Sequence, residues 1–128
     1  MNETPKRLAD DLRDWETNLA NCMFSLINLE QRLRHIIELD SITDHGVRIE
    51  AYLTVLEKLI DKMNQTHQHI QGQYQQIHSD GKLMSDHQIS ETMKKRHLAL
   101  QDEVDEIETE YLVMSKNAIE FLKEIHQA

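Results

Sequence analysis

The chain has 128 residues, a formal net charge of −9, and only 3 Gly, 1 Pro and 1 Cys. This length suits one domain with its own core, and so few Gly and Pro residues argue against a fold rich in loops or β-strands. The negative charge argues against nucleic acid or an anionic membrane as a partner, and a single cysteine excludes an intramolecular disulfide. The sequence has no apolar run long enough to span a membrane and no signal peptide at its polar start, so we expect a cytoplasmic protein.

The first predicted helix covers residues 5–39. Thr4 followed by Pro5 is a typical start signal, because a hydroxyl can accept an unpaired N–H and proline is tolerated at the first helical position. Apolar residues then recur at alternating spacings of four and three, which predicts a long helix with the heptad core stripe of a coiled coil. These core positions are Leu8, Leu12, Trp15, Leu19, Cys22, Leu26, Leu29, Leu33 and Ile36. As a core position, Cys22 is predicted to be inert.

The second predicted helix covers residues 45–79, after a break in which Ser41 or Asp44 is a candidate N-cap. Its stretch rich in Gln and His continues the heptad pattern, and Gln is a good helix former, so we predict that this stretch is helical. Ser79-Asp80-Gly81 is predicted to end the helix. The core positions are Ile49, Tyr52, Leu56, Leu59, Met63, Thr66, Ile70, Gln73 and Ile77.

The third predicted helix covers residues 86–127. Ser85 and Gln88 have the spacing of a capping box, and the apolar residues Met84 and Ile89 flank it. The core positions are Ile89, Met93, His97, Leu100, Val104, Ile107, Tyr111, Met114, Ala118, Phe121 and Ile125.

Three amphipathic helices joined by short connections predict an all-α fold, with residues 1–128 forming one elongated, antiparallel, up-down-up three-helix coiled-coil bundle. This architecture resembles that of a spectrin repeat, which also has a Trp in its first helix, as Trp15 is here. No longer motif matches, so the likeness indicates a shape and not a family.

Three polar residues, Thr66, Gln73 and His97, occupy predicted core positions. Because antiparallel helices bring the end of the second close to the start of the third, we predict that Gln73 and His97 are neighbours that hydrogen-bond each other and fix the register. Two alternatives are a functional polar pocket and exposure through a break in the register.

A second apolar stripe lies beside the core positions of the third helix. A wider apolar face is common in globular bundles, and it accounts for part of this stripe. The third helix also looks longer than its neighbours, which would leave its end without cover. The predicted partner-binding surface, which a homodimer would also use, consists of Leu98, Leu112, Ile119, Phe121, Leu122 and Ile125.

The sequence predicts no catalytic residues, no metal site and no cofactor. Its eight His residues form neither H-x-x-x-H nor E-x-x-H, the spacings that place two ligands on one helix face. The principal hypothesis is therefore a non-enzymatic protein-interaction module: an adaptor, a small chaperone-like factor or an assembly subunit. The alternative is a small His-dependent regulator that binds metal or transfers phosphate, since His45 and Arg48 loosely resemble the His-x-x-Lys/Arg pattern of histidine phosphotransfer proteins.

Overall fold

The computed structural model describes residues 3–39 and 45–127 and confirms the predicted all-α, three-helix bundle. Three long helices pack against each other: α1 (Glu3–Leu39), α2 (Gly46–Gln76) and α3 (Glu91–Gln127). Each of α1 and α3 has 37 residues, which corresponds to a rod of about 55 Å at about 1.5 Å per residue. Within the described ranges, no helix is both long enough and apolar enough to cross a membrane.

Most of the core consists of the predicted heptad positions, and Ala9, Leu53 and Leu122 beside them are also buried. The largest side chains that are fully buried all come from this set, and they are Leu12, Leu19, Leu26, Leu33, Ile49, Leu56, Met63, Thr66, Ile70, Ile77, Val104 and Phe121. Trp15, Cys22 and Tyr111 are partly buried at the edge of this cluster. Each CH₂ group buried along the three apolar stripes stabilises the bundle by about 0.8 kcal/mol.

Side-chain pairs across the helices define their directions. Between α2 and α3, Arg48 bonds Glu124, whereas Gln76, at the other end of α2, bonds Arg96. These two helices are therefore antiparallel. Near the start of α1, Asp11 bonds His97 near the start of α3, so these two helices run in the same direction.

A short β-hairpin joins α2 to α3, and the sequence did not predict it. α2 ends at Gln76 rather than at residue 79, and strand β1 (His78–Ser79) pairs antiparallel with β2 (Lys82–Leu83). Asp80 (φ 53°) and Gly81 (φ 76°) both have the left-handed backbone of a two-residue type I′ turn. This Asp-Gly pair is a strong hairpin signal. The predicted helix end is therefore three residues too late, because His78 and Ser79 belong to the hairpin.

The third helix begins at Glu91, five residues later than the predicted 86. The capping box of Ser85 and Gln88 is present, but it closes a single 3₁₀ turn over Asp86–Gln88. The cap of α3 is Ser90, whose Oγ accepts the Met93 N–H at 3.1 Å. The 3₁₀ turn has another role, because Asp86 Oδ1 accepts the Thr4 N–H at 2.9 Å and so satisfies a free N–H at the start of α1. The predicted caps of α2, Ser41 and Asp44, lie outside the described residues.

The prediction that the end of α3 lacks cover is wrong. Phe121 and Leu122 are buried, and Ile125 is partly buried. α3 has the same length as α1, and the start of α2 reaches the same level of the bundle. There, Tyr52 stacks on the Phe121 ring at 4.8 Å between centroids, and the Arg48 guanidinium lies 4.4 Å above it.

Candidate functional site

The three polar core residues are buried as predicted, but the predicted bond between Gln73 and His97 is not formed. Each residue has its own partner on a different helix. His97 Nε2 donates to Asp11 Oδ2 at 2.9 Å, and its ring packs 4.7 Å from the Trp15 ring. Gln73 Nε2 donates to the Met93 carbonyl at 3.3 Å. The pairing was wrong because His97 is directed toward α1 and Gln73 toward α3.

The third polar core residue, Thr66, is part of a small hydrogen-bonded cluster between α2 and α3. Its hydroxyl donates to the Glu103 carboxylate, which also accepts His69 Nδ1–H at 2.9 Å. Glu103 is partly exposed, so a carboxylate near water satisfies a buried hydroxyl. This arrangement removes the cost of burying Thr66 without a partner.

The predicted partner-binding stripe on α3 is only partly exposed. Leu98, Leu112 and Ile119 are 61%, 66% and 41% exposed, so they are accessible to a partner. Phe121 and Leu122 belong to the bundle core, so the prediction that they lie on the binding surface is wrong.

Regularly spaced polar pairs bridge α2 and α3. In addition to Arg48–Glu124, Lys62 Nζ bonds Glu110 at 2.9 Å and His69 bonds Glu103. The pairs recur at multiples of seven residues on each helix, which is the heptad repeat of a coiled-coil flank. One level, between Arg48 and Lys62, lacks such a side-chain pair within the described residues; there the Tyr52 hydroxyl donates to the Asn117 carbonyl at 3.5 Å.

Val55 and Asn117 occupy that level, and an apolar cavity opens there. The cavity measures about 630 Å³, and Val55 and Val113 line it while 51% and 56% exposed. Tyr52, Leu59 and Met114 also line it. We call this the apolar segment of the α2–α3 groove. Exposed valines over apolar neighbours, one of them at a position where other heptads have polar pairs, are typical of a contact surface.

The groove continues toward the hairpin as two further cavities. The middle cavity, of about 180 Å³, shares Lys62 with the apolar segment and Glu103 with the last cavity. The last cavity measures about 480 Å³, and we call it the polar segment. Its lining includes His69, Gly72, Gln73, Gln76, Arg96, Ala99 and Glu103. The α2–α3 groove therefore extends from residue 51 to residue 76 of α2.

Gly72 lines the polar segment, and the helix does not require glycine there. A Cβ built at Gly72 would have no atom within 4 Å, and its φ is not in the left-handed region. Glycine in the middle of a helix costs about 1 kcal/mol relative to alanine. We therefore expect Gly72→Ala to raise the free energy of unfolding by about 0.5–1 kcal/mol in urea denaturation followed by circular dichroism. An unchanged stability would contradict the expected gain, and a lower one would show that the fold itself needs glycine at this position.

No arrangement for covalent chemistry is apparent in the described residues. Cys22 is partly buried, and burial, followed by the negative charge of Glu108, raises the pKa of its thiol, which disfavours the nucleophilic thiolate. In residues 3–39 and 45–127, no three potential ligands are grouped to hold a metal ion. His45 immediately precedes α2 and its ring lies edge-on to Phe121, at 6.1 Å between centroids.

Comparison with known proteins identifies no relative. No protein-family model, no curated protein and no solved structure matches the chain. The site is therefore interpreted from its own geometry.

Proposed function

We propose that the protein is a non-enzymatic, cytoplasmic protein-interaction module that binds an amphipathic helix of a partner protein in the α2–α3 groove. The observation that supports this most directly is the apolar segment, where Val55 and Val113 are both exposed and Val55 replaces the polar residue that other heptads of α2 carry. An adaptor, a small chaperone-like factor and an assembly subunit would all use such a surface.

A helix is the ligand that suits this groove. The groove lies between two antiparallel helices, and a further helix in it would complete a four-helix bundle, with apolar residues at i, i+3, i+4 and i+7 as anchors. Residues 51–76 of α2 correspond to about 38 Å at about 1.5 Å per residue, which is the length of a helix of about seven turns. The apolar cavity of about 630 Å³ can take more than one large side chain.

Charges beside the apolar segment indicate which partner helix would fit. Lys58 lies one turn after Val55, and Lys116 lies one turn after Val113. Within the described part of the chain, neither lysine has a carboxylate within ion-pair distance, whereas Lys62 has Glu110. Free cations on both sides of an apolar strip favour a helix with Asp or Glu residues next to its apolar face.

A photocrosslinking experiment would test the location of the partner. p-Benzoylphenylalanine replaces Val55 in one version of the full chain and the neighbouring, solvent-facing Thr54 in the control, both expressed in the cells of origin. We expect Val55 to crosslink to one segment with apolar residues at helical spacing, and Thr54 to give no such product. Crosslinking of Val55 to a second copy of the chain, or equal products from both positions, would contradict the proposal.

Paired charge substitutions test the affinity for the crosslinked partner segment, which is synthesised as a peptide. We expect Val55→Lys with Val113→Lys to weaken binding at least tenfold in fluorescence anisotropy, because lysine ammonium groups would lose water on entering the apolar segment. The control is Leu112→Lys with Ile119→Lys, an exposed apolar pair outside the groove, and it should change the affinity less than about threefold. If only the control weakens binding, or if it alone changes the oligomeric mass, the contact surface is the α3 stripe predicted from the sequence.

A further inference from the structure

The polar segment contains a buried hydrogen-bond acceptor that has no donor. Gln73 is 6% exposed, and its Oε1 has no partner in the described parts of the chain. Its Nε2 donates to the Met93 carbonyl, which can only accept, so the orientation of the carboxamide is fixed. Gln73 also lines the cavity of about 480 Å³. A buried acceptor without a donor is unfavourable. Gln73 Oε1 has less than 1 Å² of accessible surface, so a donor entering this cavity would satisfy it after a small shift of the side chains that cover it.

The surroundings of Gln73 favour a positively charged donor. Glu103 lines the same cavity, Glu106 lines the adjoining one, and residues 102–110 of α3 contain six acidic side chains and no basic one. The cation that lines the cavity, Arg96, donates to Gln76 Oε1 at 3.3 Å. Carboxylates near a buried carboxamide oxygen attract a group that carries both charge and N–H bonds.

Two small residues line this cavity. The residues that line it next to Gln73 and Leu100 are Gly72 and Ala99, and no atom lies within 4 Å of the place where a Gly72 Cβ would be. A long, narrow side chain with its polar group at the tip can therefore enter between the helices. Lysine and arginine have this shape.

We infer that the polar segment binds a basic side chain of the partner helix, whose ammonium or guanidinium group donates to Gln73 Oε1 and to the Glu103 carboxylate. This inference rests on the proposed function and specifies the partner further. Val55 and Gln73 are 18 residues apart on α2, or about 27 Å. The partner helix would therefore have acidic residues beside its apolar anchors, and a Lys or Arg roughly 18 residues away.

Small probes test the polar segment without the partner. The ¹⁵N-labelled full chain is titrated with n-butylguanidinium, with n-butylammonium and with n-butylurea, a neutral analogue of the first. We expect saturable shifts of the Gln73 side-chain NH₂ signals and of the Ala99 and Leu100 backbone amide signals, which every variant retains, with one or both cations. Binding of the urea should be at least fivefold weaker. We expect Gln73→Leu, Glu103→Gln and Gly72→Leu each to weaken binding of the cation at least fivefold, and Thr54→Ala, which lies outside the groove, to leave it unchanged.

The possible results separate this inference from the proposed function. Absence of a saturable shift, or equal binding of urea and cation, would overturn the basic side chain as the ligand, and Val55 crosslinking would still test the helix. Binding of the cation without a crosslink at Val55 would retain the cation site and overturn the partner helix. Shifts that persist in Gln73→Leu and Glu103→Gln would place the probe elsewhere and overturn the inference.

Discussion

Replacing Phe121 with alanine is expected to destabilise the bundle by about 3–5 kcal/mol, the range for a large aromatic residue removed from a core. Phe121 is 1% exposed. Its ring contacts Tyr52, Arg48 and His45, so the substitution removes stacking and a cation–π contact in addition to apolar burial. Urea denaturation followed by circular dichroism would measure the change, and the melting temperature should fall by roughly 10 °C or more.

The matched control is Phe24→Ala on α1. Phe24 is 69% exposed, so this substitution should change the stability by less than about 1 kcal/mol. Equal effects of the two substitutions would mean that the end of α3 is not covered by α2, as the sequence alone had predicted.

Replacing Ile77 with alanine is expected to cost about 2–5 kcal/mol, the usual range for a buried aliphatic residue. Ile77 is fully buried at the end of α2, where Leu83 and Met84 pack against the same core. Its carbonyl accepts the Met84 N–H at 2.9 Å, which fastens the hairpin to the end of the helix. The cavity left by the substitution would lie at this junction.

The same denaturation series can include Ile27→Ala, a substitution of equal size on the outside of α1. Ile27 is 40% exposed, and we expect a loss of less than about 1 kcal/mol. If Ile77→Ala proved equally mild, the hairpin would be a loosely held connection and not part of the packed end of the bundle.

The heptad stripes predicted the helices and the core because both depend on local periodicity. Residues such as Leu26 and Leu56 are buried wherever a helix presents an unbroken apolar stripe to its neighbours. The prediction was less successful at the helix ends. Ser85 and Gln88 form the predicted capping box, but around a single 3₁₀ turn and not at the start of α3. The same hydrogen bonds can close one turn or begin a long helix.

The candidate site was missed because it depends on the relation between two helices. Val55 and Val113 each look like an isolated surface valine in the sequence, and Gly72 looks like a weak point in a helix. Their significance depends on the register that aligns Arg48 with Glu124 and Lys62 with Glu110. Counting seven residues along each flank would have shown that Val55 interrupts a series of polar residues, once the antiparallel pairing was assumed. The unpaired Gln73 Oε1 could not have been predicted from the sequence. It depends on which atom of the Gln73 carboxamide bonds the Met93 carbonyl.

The tight Asp80-Gly81 turn limits how the length of this protein can change in evolution or design. A two-residue turn cannot absorb an extra residue. One residue inserted into α2 alone would therefore rotate every later α2 side chain by about 100° and misalign it with α3. Whole heptads added to both helices at the same level would preserve their phase, whereas a longer hairpin would give each helix freedom to slide. Variants of different length should therefore differ by paired multiples of seven residues, with the two-residue turn retained.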